Sequence, residues 1–324
     1  LAGVGTLKNE FTWSNRRGNT FDECRRRYWF ENYGHWGGWE DRANPRTRQI
    51  YVLKKVKHRQ MWIGELVHDA VAGALLAIRQ GREPREEATI AELLDEMRVQ
   101  FRQSKAGDYR RNAKLCALYE HEYAVDVPDS EWQAMSDHAK KCVRHFFQCP
   151  FVDQMRQIPK TNWLEVEQLE SFDLDGTKVW VKMDAAYRSL NGRVTILDWK
   201  TGKLDRDPDP IQLTCYAIYA MQKWNVAADQ VDTIEYNLAE NDYVFRPISA
   251  AGIEAIRARI AASIDAMKKM LVGPPADNVA LPESAFAVVS DPQSCKRCVF
   301  LKVCAESPAA QPAVPAKPKP GELF

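Results

Sequence analysis

The hydrophobic period of this chain changes once, near Asn162, and that change limits what the polypeptide can fold into. Before it, apolar residues recur at helical spacing: Trp62, Ile63, Leu66, Val67, Val71 and Leu75, then Ala91, Leu93, Leu94, Met97 and Phe101. A third helical stretch is expected over 129–147, and Gly81 and Pro84 punctuate the first two. After Asn162 the period is two. Residues 163–172, 178–190 and 193–199 read as strands, with turns at Gly176 and Asn191-Gly192. A helix is expected from Pro210 to Trp224, then strands over 231–238 and 242–247. A last long helix over 249–271 places Ile253, Ile256, Ile260 and Ile264 on one face. The pattern predicts an α/β fold, with a small core sheet flanked by helices and a helical region before it.

Length and charge narrow the reading further. The 324 residues suffice for one large domain with a sizeable core. No run of eighteen apolar residues occurs, so no membrane span is expected. No charged segment followed by an apolar one opens the chain, so a cytoplasmic protein with reduced thiols is expected. The net charge of +1 excludes a globally basic binder, yet it is unevenly spread. Residues 1–60 hold 13 Lys/Arg against 6 Asp/Glu, a net of +7, and the remainder carries −6. The basic part also holds nine aromatics from Phe11 to Trp39. Cations meet phosphates and rings stack on bases, so this interleaving suits a nucleic-acid surface. It equally suits a solvated helix with an aromatic core face. One domain is expected over 1–304: a basic aromatic part (1–60), a helical part (61–160), a catalytic α/β core (161–272) and a cysteine segment (290–304). The Pro/Ala-rich residues 305–324 are expected to form a disordered tail.

The chemistry concentrates in Val181–Lys203. Residues two apart in a strand share a face, so Asp198 and Lys200 project together while Trp199 turns away. Asp184, on the adjacent strand, can place its carboxylate near Asp198. Two carboxylates suit Mg²⁺ or Mn²⁺, which take oxygen donors and leave positions for water and phosphate. A metal so held polarises a phosphoryl oxygen, and a lysine beside it stabilises the developing charge. Such a short motif is equally met at an ordinary strand end. His68 sits on an apolar helix face, where a satisfied core histidine is the plain alternative to a ligand. Gln212 and Tyr216 lie one helical turn apart, directly after that strand. Eight cysteines occur, and three stand as Cys295-x2-Cys298-x5-Cys304, a ligand-like spacing.

Together the motifs resemble the RecB-like branch of the PD-(D/E)XK nuclease superfamily, whose core is restriction-endonuclease-like. The segments that carry the resemblance are "FDECRRRYWF", "GELVH", "VKMDAAY", "ILDWKTGK", "QLTCY" and "CKRCVFLKVC", in that order from Cys24 to Cys304. The last resembles the closing cysteine cluster of RecB-like exonucleases, AddB-type helicase–nucleases and CRISPR-associated spacer-acquisition nucleases. The resemblance implies that His68, Asp184, Asp198 and the Trp199 backbone carbonyl hold Mg²⁺ or Mn²⁺. It implies Lys200 as the catalytic lysine, and Gln212 and Tyr216 along the DNA path, with Arg25, Arg26 and Arg27 guiding the strand. Cys24, Cys295, Cys298 and Cys304 would hold a 4Fe–4S cluster, structural zinc being the alternative with the same sulfurs. Glu165 or Glu167 adds a further carboxylate, with Glu167 the candidate supporting residue. Two departures stand out. The glycine usual before the motif aspartate is absent at Trp180–Met183, and Arg25 replaces a proline usual after the first cysteine. About 115 residues separate His68 from Asp184, which favours a stand-alone exonuclease over the compact spacer-acquisition enzymes. The implied activity is metal-dependent DNA hydrolysis from single-stranded ends in repair, recombination or defence, with a helicase as a candidate partner. A structure- or sequence-selective endonuclease is one alternative, and a non-catalytic iron–sulfur DNA-binding subunit the other.

Overall fold

The structure is a computed structural model that describes residues 8–307; the expected tail from Pro308 on lies outside the described residues. In chain order its elements are α1 (Asn15–Glu23), α2 (Arg25–Trp29), α3 (Pro45–Leu53), β1 (Val56–Lys57), α4 (Arg59–Arg79), α5 (Glu86–Ala106), β2 (Ala117–Leu118), α6 (Tyr119–Glu122), α7 (Asp129–Phe147) and α8 (Pro150–Gln157). There follow β3 (Trp163–Val166), β4 (Leu169–Leu174), β5 (Thr177–Lys182), β6 (Ala185–Arg188), β7 (Val194–Lys200), α9 (Ile211–Trp224), β8 (Val231–Asn237), β9 (Asp242–Phe245), α10 (Ala250–Lys268) and α11 (Pro292–Lys296). Two compact units form. One takes the chain up to Asn19 and Lys55–Ala280; the other takes Thr20–Lys54 and the chain from Leu281 on. Residues 1–60 are thus shared between the two.

The first unit is a mixed sheet of order β3-β6-β7-β8-β9 with helices packed on it. Strand β7 pairs antiparallel with β6 and parallel with β8, and its residues 194–199 are all buried, as a central strand demands. Its Leu197 and Trp199 face a layer built from α4, α5, α7 and α8, where Val67, Leu75, Val143, Phe146 and Val152 are fully enclosed. Burying each such side chain contributes about 1.5–3 kcal/mol. Helix α4 is long and apolar enough to cross a membrane by length and composition. It instead lays Trp62, Leu66, Val67, Val71 and Leu75 into this core.

Two expected strands are each divided. Residues 163–172 split into β3 and β4, and 178–190 into β5 and β6. The first break is Glu167, whose φ of +54° turns the chain sharply. Its N–H donates to the carbonyls of Met183 (3.1 Å) and Asp184 (3.2 Å), which form the second break. Each outer piece, β4 and β5, leaves the main sheet to form a hairpin of its own. That hairpin turns on Asp175-Gly176, both at positive φ, as a two-residue primed turn requires.

The second unit has an aromatic interior. Phe30 stacks on Phe300 (5.1 Å between centroids), and Tyr28 on Phe286 (6.4 Å). Phe21, Tyr28 and Phe30 are all buried there, and Trp13 is buried in the first unit. Four of the nine aromatics are therefore core, which corrects the expectation of a base-stacking surface at Trp13, Phe21, Tyr28 and Phe30, while Trp36 is exposed and the other four are half-buried.

Candidate active site

The site is built where the two strand breaks meet. The β6–β7 register pairs Ala185 with Leu197, so Asp184, one residue earlier, stands level with Asp198. Asp184 is buried, and its Oδ2 accepts from the Trp199 N–H at 2.6 Å. Its Oδ1 lies 3.2 Å from His68 Nδ1, presented by α4. Glu167 completes this group. Its Oε1 lies 3.4 Å from His68 Nδ1, and its other oxygen pairs with Lys182. Ligand atoms of His68, Glu167 and Asp184 all lie within 4.8 Å of one another, a group able to hold a metal ion.

Beside it stands a second group, organised by α9. Asp198 is buried, with Oδ2 2.5 Å from Lys200 Nζ. Gln212 donates from Nε2 to Asp198 Oδ1 (3.0 Å) and accepts at Oε1 from Lys200 Nζ (3.2 Å). It also donates to the Tyr216 hydroxyl (2.8 Å), which donates in turn to the Lys182 carbonyl (2.7 Å). The i,i+4 spacing of Gln212 and Tyr216 thus makes a brace for the carboxylate and the lysine. Tyr216 is buried. Trp199 turns its ring into the core against Phe146 and Tyr236, as strand alternation requires.

Electrostatics follow from this crowding. Burial opposes charge on His68, but the bonds to Asp184 and Glu167 outweigh it and hold the imidazole up at about 10. Burial, then the Asp184 charge, raises Asp198 to about 6 against the pull of Lys200. Burial would raise Glu167, but His68 and Lys182 hold it below its ordinary value. Burial draws the Lys200 ammonium down, and Asp198 leads the carboxylates that raise it overall.

Two buried carboxylate oxygens bear on metal binding. Glu167 Oε1 and Asp198 Oδ2 are buried, and each meets its cation, His68 or Lys200, by charge rather than by an aligned hydrogen bond. Each therefore keeps acceptor capacity for a further cation. Carboxylate oxygens with one imidazole suit Mg²⁺ or Mn²⁺. The residues present fit a divalent metal, held by His68, Glu167 and Asp184 with Asp198 alongside.

Glu165 does not join. It is buried, and its carboxylate accepts from the Tyr219 hydroxyl. Glu167 enters the ligand group rather than supporting it from behind. Its left-handed backbone has no signature in a glutamate, so strand alternation alone could not place it. Arg26 is corrected more strongly. It is 2% exposed, with its guanidinium held by Glu283 and Glu306 and its Nε by the Phe286 carbonyl. It is an interior strut of the second unit. Arg27 is half-buried and paired with Glu23 and Glu31, whereas Arg25 is exposed beside Phe21.

The four predicted cysteine ligands all fall in the second unit. Cys24 caps α2, its Sγ accepting from the Arg27 N–H at 3.5 Å. Cys298 lies within electrostatic reach of Cys24 and Cys295, and Cys304 of all three others. Burial pushes Cys298 and Cys304 up to about 11. A tetrahedral zinc needs sulfurs about 3.8 Å apart. Among the described residues the four cysteines form no group of three within 4.8 Å. Cys116, Cys142, Cys149 and Cys215 are buried thiols of the first unit.

Comparison with known proteins places this geometry. A family model describing the PD-(D/E)XK nuclease superfamily matches residues 12–305. Among solved structures, the crystal structure of SSO0001 matches with 18% identity and a TM-score of 0.27, covering 60% of this chain and 80% of that one. No curated protein matches.

Proposed function

The chain belongs to the PD-(D/E)XK nuclease superfamily, and from that premise we propose that it is a RecB-like deoxyribonuclease hydrolysing DNA from single-stranded ends. One observation carries the reading: His68, Glu167 and Asp184 converge as a group able to hold a metal, with the buried Asp198–Lys200 pair beside them. A divalent metal bound there supplies Lewis-acid polarisation of the scissile phosphate. The protein's part is orientation and charge. Lys200, fixed between Asp198 and Gln212, presents an ammonium to the phosphate as negative charge builds on it. Asp198, beside Lys200, stands where it can accept a proton from an attacking water. Tyr216 keeps Gln212, and through it both reacting groups, from rotating away.

The same reading assigns a 4Fe–4S cluster to Cys24, Cys295, Cys298 and Cys304. Its support is that all four fall in one unit, with Cys304 within electrostatic reach of the other three.

End-labelled single- and double-stranded DNA with Mg²⁺ or Mn²⁺ tests the activity. Linear single strands are expected to shorten, and Lys200→Ala to slow this by roughly a hundredfold or more. Closed circular single strands should survive. Their cleavage would replace the exonuclease with an endonuclease, and DNA binding without cleavage would leave a non-catalytic subunit.

A further inference from the structure

A cavity of about 460 Å³ lies beside the candidate site, and none of the proposed chemistry uses it. Its walls come from the first turns of α4, the middle of α7 and the segments after β7 and β8, all in the first unit. Ile63 and Met135 give it an apolar lining, His138 and Thr201 a polar floor, and Gln60 and Lys203 an exposed rim.

The cavity is preformed. His138 Nε2 lies 2.8 Å from the Thr201 carbonyl, and Asn237 Nδ2 donates to the Gly202 carbonyl at 2.8 Å. The Leu204 N–H donates to Glu240 Oε1 at 3.1 Å. Three bonds therefore pin the segment that follows Lys200. Gly64 lets α4 approach it: a Cβ there would stand 3.2 Å from Thr201 Oγ1.

Two elements also link the cavity lining to the candidate site. Thr201 directly follows Lys200 on the chain. Gln60, Gly64 and His68 succeed one another at i,i+4 along one face of α4, so the cavity mouth lies about 12 Å from His68 along the helix. Lys203 and Gln60 make no hydrogen bond or ion pair among the described residues, so both are available to a ligand. The Glu240 carboxylate at the edge disfavours a phosphate inside and can accept from the amino group of a base.

We infer that this cavity receives one unstacked nucleobase of the substrate strand close to the scissile bond, with Lys203 meeting the adjoining phosphate. The inference rests on the nuclease reading above and deepens it. An apolar slot with polar edges suits a base, whose faces are hydrophobic and whose rim hydrogen-bonds. The volume falls within the range of pre-formed small-ligand pockets.

The test moves a single abasic residue along a fluorescent single-stranded oligonucleotide. The full chain is assayed by anisotropy in EDTA, and separately by cleavage with Mn²⁺. One position is expected to weaken wild-type binding by about tenfold. Ala134→Trp, an exposed α7 position at the cavity wall, should weaken binding of the intact strand to the abasic level and abolish the penalty there. Lys203→Ala should weaken every oligonucleotide alike and keep the penalty. A flat scan overturns the inference, as does a penalty that persists in Ala134→Trp. If no oligonucleotide is cleaved with Mn²⁺, the nuclease reading falls, while the anisotropy scan still decides the cavity.

Discussion

Lys200 is held from two sides, by Asp198 at 2.5 Å and by the Gln212 side-chain carbonyl at 3.2 Å, and Gln212 is itself held by Tyr216. Removing the Tyr216 hydroxyl leaves a Gln212 N–H and the Lys182 carbonyl without partners in a buried setting. Tyr216→Phe is expected to cost about 1–3 kcal/mol in urea unfolding. It should lower kcat by about tenfold with little change in KM, because the brace acts on the reacting groups rather than on DNA binding. The metal-free site also sets a pH dependence. His68 sits at about 10 in the fold against 6.5 as its ordinary value. Its contribution to stability is complete below pH 6.5 and is lost as pH rises through 10. Asp198, raised from 3.8 to about 6, acts in the same direction at lower pH: its contribution is present below 3.8 and lost as pH rises through 6. The melting temperature in EDTA should therefore fall on the alkaline side, and His68→Gln should flatten the upper limb between about pH 6.5 and 10. A wild-type curve that parallels His68→Gln would contradict the pairing with Asp184 and Glu167. Asp198 and Lys200 are legible in the sequence because a buried strand that ends in D-x-K puts both on one face. His68 needed the other motifs beside it, since a histidine on an apolar helix looks the same whether it binds a metal or packs.

At the scale of elements, the site depends on two strands stopping in the same place. Glu167 holds a left-handed backbone, which costs a non-glycine residue about 1–2 kcal/mol. That cost is offset by two backbone bonds across the corner and by ion pairs to Lys182 and His68. Glu167→Gly keeps the turn and relieves the strain while deleting the carboxylate. It should fold with near wild-type stability yet bind Mn²⁺ at least tenfold more weakly by titration calorimetry. Unchanged Mn²⁺ affinity would remove Glu167 from the ligand group. Periodicity located the long helices, and α7 runs over Asp129–Phe147 as its spacing predicts, but α1, α2 and α3 were not foreseen. Strand ends were harder, because alternation continues unbroken through Glu167 and Met183-Asp184 while the hydrogen-bond partners change. The turns at Asp175-Gly176 and Asn191-Gly192 were visible because glycine marks positive φ. No residue type marks the corner that matters most.

For the whole molecule, the second unit joins segments near the two ends of the described chain, Thr20–Lys54 and the residues from Leu281. What draws them together is partly aromatic packing, as in Phe30 on Phe300, and partly Arg26 bound to Glu283 and Glu306. Neither was evident beforehand, since the same aromatics and arginines read equally well as a nucleic-acid surface. Spacing singled out only Cys295, Cys298 and Cys304; it was the resemblance that joined Cys24 to them. A cluster on Cys24 and Cys295 would close a loop of 271 residues, which restrains the unfolded chain by about the several kcal/mol of a long-loop crosslink. Protein purified without oxygen is expected to be brown and to carry about four iron atoms per chain. Cys24→Ser should bleach it and lower the melting temperature. Cys142→Ser, at a thiol enclosed in the core of the first unit, should leave the colour intact even if the protein is less stable. The contrast separates loss of a ligand from general destabilisation. Colourless wild-type protein with one bound zinc would assign the four sulfurs to a structural metal.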